Sequence, residues 1–301
     1  MNAGGFEGTV LGTLIMPYCS GIGNLMLAFV IGRDNGPGDQ VMINALTNNV
    51  TNMTLLIGLP AIFWRMTVSP VEKPGKSKSK SRKREVQAQR KVNRLSLLLT
   101  LTAVLFFCGA AWVLTRDNKL DSTDGLILVG LFLFWQCFHV FEVLKSNARQ
   151  NKSLSWTLPF DLALLGVGAV ATYVSIDWLV KWVGTHPQGF INNDNIGLLT
   201  GWLMVVPNAL LALYYGWRGN PEVVYTSQVG DGHICIPLCV GIAALFNSYT
   251  VPALFQTSII ILAVATVVHF ICVALFGGLP RIMGGILIAA YGYFLYRGLL
   301  K

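Results

Sequence analysis

Charge is what this chain has least of. Only 12% of its 301 residues are Asp, Glu, Lys or Arg, about half the share in a typical soluble domain, and its mean hydropathy is +0.58. Most of the chain must therefore lie in lipid. Histidine is scarce, no nucleophile stands at motif spacing from a base, and no phosphate-cradling glycine loop occurs, so an enzyme is not expected. The six cysteines, at 19, 108, 137, 235, 239 and 272, all fall in or beside apolar segments, which argues against a disulfide framework. Cys235 and Cys239 share a helix face. Without a third ligand in register they read as small buried hydrophobes rather than a soft-metal site. The first apolar run lacks a basic leader and follows Glu7, so it is read as a span and not as a cleaved signal.

The net charge of +8 is local, because Lys76, Lys78, Lys80, Arg82, Lys83, Arg84, Arg90, Lys91 and Arg94 fall in one stretch. No aromatics interleave them, so nucleic acid is not the expected partner. Beside apolar spans the block reads as a cytoplasmic loop, and Lys76 to Arg94 is expected to meet anionic lipid or a cytoplasmic partner.

Nine stretches are apolar enough to cross a bilayer: 8–32, 40–66, 96–115, 124–145, 157–183, 195–217, 224–247, 251–275 and 279–299. The expected class is an all-α polytopic membrane protein of about nine spans. The positive-inside rule puts 67–95 and the Lys145, Arg149, Lys152 stretch in the cytoplasm, with Arg218 and Arg281. Asp117, Asp121, Asp124 and Asp194 then lie outside, the N-terminus inside and the C-terminus outside; Arg33, Arg297 and Lys301 disagree weakly. A bacterial inner membrane is the default placement for so compact a chain.

A degraded internal copy organises these spans. At an offset of 184, Asn24, Leu27, Ala28, Gly32 and Pro37 fall on Asn208, Leu211, Ala212, Gly216 and Pro221. At 183, Leu55, Gly58, Ala61 and Phe63 fall on Leu238, Gly241, Ala244 and Phe246. An odd number of spans separates the copies, so they are inverted in the membrane. Such repeats place a substrate site near the midplane, where broken helices of both halves meet. The chain divides into a first repeat pair at 1–66, the basic loop at 67–95, the rest of the first half at 96–156, and a second half at 157–301 holding the second repeat at 195–247.

Polar residues inside spans are costly unless they face a partner or a cavity. Here they are Ser20, Asn24, Asn44, Thr47, Asn48, Asn49, Thr51 and Asn52 in one copy, and Asn208, Thr226, Ser227, Gln228, Asp231 and His233 in the other. Asp231 lies between two glycines and reads either as an ion or proton site or as an exposed residue at a helix mouth. His233 either pairs with it or caps the broken helix. His139 and His269 stand alone in apolar spans and read as packed residues rather than heme or metal ligands. Trp135, Phe138 and Phe141 read as a packing or lipid-facing stripe.

The stretch Asn44-Ala45-Leu46-Thr47-Asn48-Asn49-Val50-Thr51-Asn52 and its partner Ser227-Gln228-Val229-Gly230-Asp231-Gly232-His233-Ile234-Cys235 resemble the second motif of the calcium/cation antiporter superfamily. The first motif survives as Ser20-Gly21-Ile22-Gly23-Asn24 and Met204-Val205-Val206-Pro207-Asn208. The resemblance implies a sodium/calcium exchanger-like fold, with the chain lacking the first, peripheral span of the usual ten. It implies a secondary cation antiporter without a cofactor, in which the first span of each repeat slides relative to the core. It also maps the two calcium-binding glutamates onto Asn24 and Asn208, and the following ligand positions onto Asn48, Asn52, Asp231 and Cys235. Only Asp231 among these is anionic. Calcium takes six to eight oxygens, usually with several carboxylates. A site of Ser20, Asn24, Asn48, Asn52, Asn208, Asp231 and His233 suits a monovalent cation, a proton-coupled substrate or a weakly held divalent ion, so Na+, H+ and Ca2+ stay open. Amides also donate, so an anionic or neutral polar solute stays open too. The alternative is a membrane scaffold that keeps the exchanger fold without transporting.

Overall fold

The computed structural model describes residues 16–64, 66–68, 80–148 and 158–299; of these, the side chains of 16–20, 80–93, 139–148, 158–159 and 161–162 are not described. Its helices are α1 (Met16–Arg33), α2 (Gly38–Thr51), α3 (Ile57–Phe63), α4 (Lys80–Leu114), α5 (Ser122–Ala148), α6 (Leu158–Thr185), α7 (Ile196–Trp217), α8 (Pro221–Ile234), α9 (Val240–Phe246), α10 (Leu254–Phe276) and α11 (Arg281–Leu299). A π-helical turn, Asn52–Leu56, joins α2 to α3, and a second, Cys235–Cys239, joins α8 to α9. Counting each joined pair as one rod gives nine rods among the described residues. Six contain helices long and apolar enough to span a membrane. The rod from α2 to α3 is not among the six because of its asparagines and threonines. Residues 8–15 of the first expected span, and the basic side chains from Lys76 to Lys91, lie outside the described residues. The helix that follows them begins at Lys80, inside the stretch expected as a loop.

Two short ribbons clamp the rods at their ends. Strand β1 (Met66–Thr67) pairs antiparallel with β4 (Gly278–Leu279), and β2 (Lys119–Leu120) pairs antiparallel with β3 (Tyr249–Thr250). Loops paired in one ribbon must lie on one face of the membrane. The alternating nine-span reading satisfies this, with 66–67 and 278–279 on one side and 119–120 and 249–250 on the other.

The inverted duplication is visible in the geometry. Adding 183 carries Asn52, which opens the first π turn, onto Cys235, which opens the second, and carries β1 onto β3. The copies are also interlocked. Gly32 at the end of α1 lies under the ring of Phe246, while its counterpart Gly216 at the end of α7 lies under Pro60 and Trp64. The first helix of each repeat thus packs against the second rod of the other.

Among the crossings that depend on glycine are those of α5 with α9 and of α3 with α11. A Cβ on Gly125 of α5 would stand 2.7 Å from the Gly241 carbonyl of α9, and one on Gly284 of α11 would stand 2.8 Å from the Gly58 carbonyl of α3. Small residues at such crossings let membrane helices approach backbone to backbone.

Burial grades from centre to rim. In the rod from α8 to α9, 78% of the apolar window is buried, against 6% in α6, so α6 is peripheral and lipid-facing. It rests on α1 through Phe29 and Tyr173 and through Arg33, which donates to Asp34 and Asp177 at 2.7 Å for the latter. Arg33 runs against the positive-inside pattern, and these two carboxylates offset its charge. The same guanidinium holds the Asp34 carboxyl below its ordinary value.

Candidate functional site

Four helices, α1, α2, α7 and α8, converge on a buried polar cluster. Asn48 and Asn52 lie one turn apart on α2 and the start of the π turn, so their amides share one face. Asn52 Nδ2 donates to Asn48 Oδ1 at 2.8 Å, and Asn48 Nδ2 in turn donates to Asn24 Oδ1 of α1 at 3.4 Å. From the other repeat, Asp231 of α8 accepts at Oδ2 from Asn52 Nδ2 at 2.9 Å and from Asn208 Nδ2 of α7. Asn208 also reaches Asn52 Oδ1 at 3.5 Å. All five side chains are essentially inaccessible, Asp231 at 0%. The helix-mouth reading of Asp231 is therefore replaced by a buried carboxylate.

The cluster is richer in acceptors than in donors. Asn208 Oδ1 and Gln228 Oε1 are buried with no hydrogen-bond donor, as are Asn44 Oδ1 and Asn49 Oδ1 elsewhere on α2, whereas Asn24 Nδ2 is the lone unmatched amide donor of these residues. A buried amide oxygen without a donor costs roughly 1–3 kcal/mol, and such oxygens are what a cation coordinates. Gln228, inside the second-motif stretch but not among the expected ligands, lies one turn before Asp231 and so on the same helix face. Its Nε2 holds the Asn208 carbonyl at 3.2 Å and Ser227 Oγ at 3.0 Å. Thr200, also missed, takes the Asn44 amide at 3.0 Å and ties α2 to α7. An isolated Thr in an apolar span carries no signal of its own.

The helices here run on through π turns rather than breaking. Asp231 lies within the continuous α8, and the irregularity is the π turn that begins at Cys235. Pro237 lies in that turn and has no N–H to donate. At the equivalent place in the first repeat, Thr54 Oγ1 instead takes the Val50 carbonyl. Pro207 is inside α7, immediately before Asn208, and Gly23 holds the matching place before Asn24.

The remaining expected residues divide. His233 is buried, two residues and about 200° of helix beyond Asp231. Ser20 is on α1 one turn before Asn24, and its side chain is not described. Cys235 and Cys239 are buried in the second π turn. Among the described residues no three His, Cys, Asp or Glu side chains gather as a metal group. Trp135 packs against Phe107 and Phe138, while His139 and Phe141 are outside the described side chains.

Two interlocked inverted repeats with a polar cluster at their crossing define an inverted-repeat membrane carrier. The chain belongs to the sodium/calcium exchanger family, whose profile, described as sodium/calcium exchanger protein, matches residues 2–141 and 160–299. It is a transporter of the cation antiporter type, in a family that moves ions and uses no cofactor. Its fold is similar to that of the sodium-calcium exchanger NCX_Mj. The form soaked with 100 mM Na+ and 10 mM Sr2+ aligns with a TM-score of 0.60 at 16% identity, over 97% of this chain and 86% of that one. The form soaked with 2.5 mM Na+ and 0.1 mM Sr2+ gives 0.58 at 18% identity, over 97% and 87%. No curated protein matches the chain.

Proposed function

We propose that this chain is a secondary cation antiporter whose site carries one negative charge and therefore prefers a monovalent cation, Na+ or H+, over Ca2+. The observation that supports this most is a single buried carboxylate, Asp231, among amides whose unmatched atoms are mostly oxygens. Asn24, Asn48, Asn52, Asn208 and Gln228 surround the ion. On binding, Asn52 and Asn208 rotate their amides and present oxygens where N–H groups now face Asp231.

Charge balance sets the preference. A monovalent ion beside Asp231 leaves the site neutral, whereas a divalent ion leaves one net charge near the midplane. An uncompensated charge there costs about 3 kcal/mol on insertion scales, or roughly a hundredfold in occupancy. The same cost enforces exchange. Once the cation leaves, the negative charge on Asp231 opposes the return movement until a second cation or a proton takes its place.

The N-terminus is assigned to the cytoplasm and the C-terminus to the outside, in a bacterial inner membrane, with the basic segment meeting anionic lipid on the inner face. The reading is tested in proteoliposomes by imposing Na+, K+, H+ and Ca2+ gradients in turn. Flux driven by Na+ or H+ is expected, with Ca2+ flux at least tenfold weaker. Dominant Ca2+ exchange would overturn the monovalent assignment, and absence of flux in folded protein would favour the scaffold.

A further inference from the structure

His269 of α10 is fully buried, and its Nε2 lies 2.7 Å from the carbonyl oxygen of Met53. Met53 is the residue after Asn52, inside the first π turn. In a regular helix that carbonyl would take the N–H of Ile57; here the Ile57 N–H goes to Thr54. The imidazole thus occupies an acceptor that the irregular turn leaves short of its usual donor. Because a carbonyl only accepts, the hydrogen must be on Nε2. Nδ1 is then the bare acceptor, and it has no partner among the described residues. The ring is set edge to face against Tyr225 of α8, with centroids 5.8 Å apart.

The second π turn needs no such support, since Pro237 deletes a helix hydrogen bond covalently. Around the first turn the contacts to backbone carbonyls are exchangeable ones, the Thr54 hydroxyl on Val50 and the His269 imidazole on Met53. The repeats therefore differ in how firmly their turns are fixed.

We propose that His269 is a positioning residue for the ion site, holding the first π turn open so that the Asn52 amide reaches Asp231. It acts through the backbone of Met53 and does not touch the ion. The assignment of its effect to ion affinity rests on the cation-site reading above; its effect on the turn does not.

The test compares full-length wild type with His269→Leu, which removes the donor, and His269→Gln, whose side-chain amide supplies one at similar reach. Backbone hydrogen exchange over 53–60 and radioactive sodium uptake in proteoliposomes are measured on each. In His269→Leu, exchange is expected to rise at least fivefold over 53–60 but not over 235–240. The half-saturating Na+ concentration rises about tenfold, the size of one lost hydrogen bond, with the maximal rate within threefold. His269→Gln restores both toward wild type. Unchanged exchange in folded His269→Leu would overturn the role in the turn, whether or not the protein transports. Changed exchange with unchanged half-saturation would overturn the link to the site. A wild type that moves no cation would sink the transport reading alone, leaving exchange to decide the turn.

Discussion

Replacing Asn208 by Asp puts a second carboxylate against Asp231, in the place of an amide that now donates to it. At about 4 Å and an effective dielectric near 20, two like charges repel by about 4 kcal/mol. The pair therefore shares a proton at neutral pH unless a cation separates them. A divalent ion between the two carboxylates leaves no net charge, which removes the penalty argued above against calcium. Asn208→Asp should therefore gain Ca2+ affinity by at least tenfold and lose Na+ affinity, and its Ca2+ binding should weaken in acid as the carboxylate pair takes up protons. Calorimetric titration of purified protein with Ca2+ and with Na+, followed by Ca2+ uptake in proteoliposomes, measures both. If folded Asn208→Asp binds Ca2+ no better than the parent, the charge-counting account of selectivity is wrong.

The other expectations concern the frame around the site. Gly125→Val drives a side chain into the Gly241 carbonyl, 2.7 Å from the Cβ position. It should cost about 1–3 kcal/mol, read as a lower midpoint of thermal unfolding in detergent, while Gly130→Val, with open space around it, leaves the midpoint unchanged. Arg33→Gln should loosen α6 from α1, seen as faster hydrogen exchange over 173–185, and in the parent high salt should act in the same direction. Acid should break the pair within the end of α1: Arg33 holds the Asp34 carboxyl below its ordinary value, so that contact is complete above the ordinary carboxylate range and is lost as pH falls through the lowered value, read from the titration of the Asp34 carboxyl.

Much of the frame was legible in the sequence because lipid imposes a simple rule. Apolar stretches of the right length had to be helices, and the nine expected spans correspond to the nine rods described. The 183-residue offset anticipated that Asn52 and Cys235 would hold equivalent places, but not that each would open a π turn. Beside that irregularity stand side chains on carbonyls in one copy and one proline in the other, and neither is a periodic signal. The asparagines and Asp231 could be gathered from their costly presence in spans and from the family resemblance. Gln228, Thr200 and His269 could not be ranked that way. Their roles depend on which neighbouring helix faces them, as that of Thr200 depends on the crossing of α2 with α7 at Gly197 and Gly201. The expected helix break failed because Gly230 and Gly232 flank Asp231 inside a tightly packed rod, where burial keeps the helix continuous.

The central claim is that Asp231 carries the charge that is exchanged. Its most direct test is cation flux through Asp231→Asn and wild-type protein reconstituted side by side under the gradient that drives the parent fastest. Asp231→Asn keeps the shape and removes the charge, so flux should fall at least a hundredfold with folding preserved. Flux at the parental rate would contradict the account.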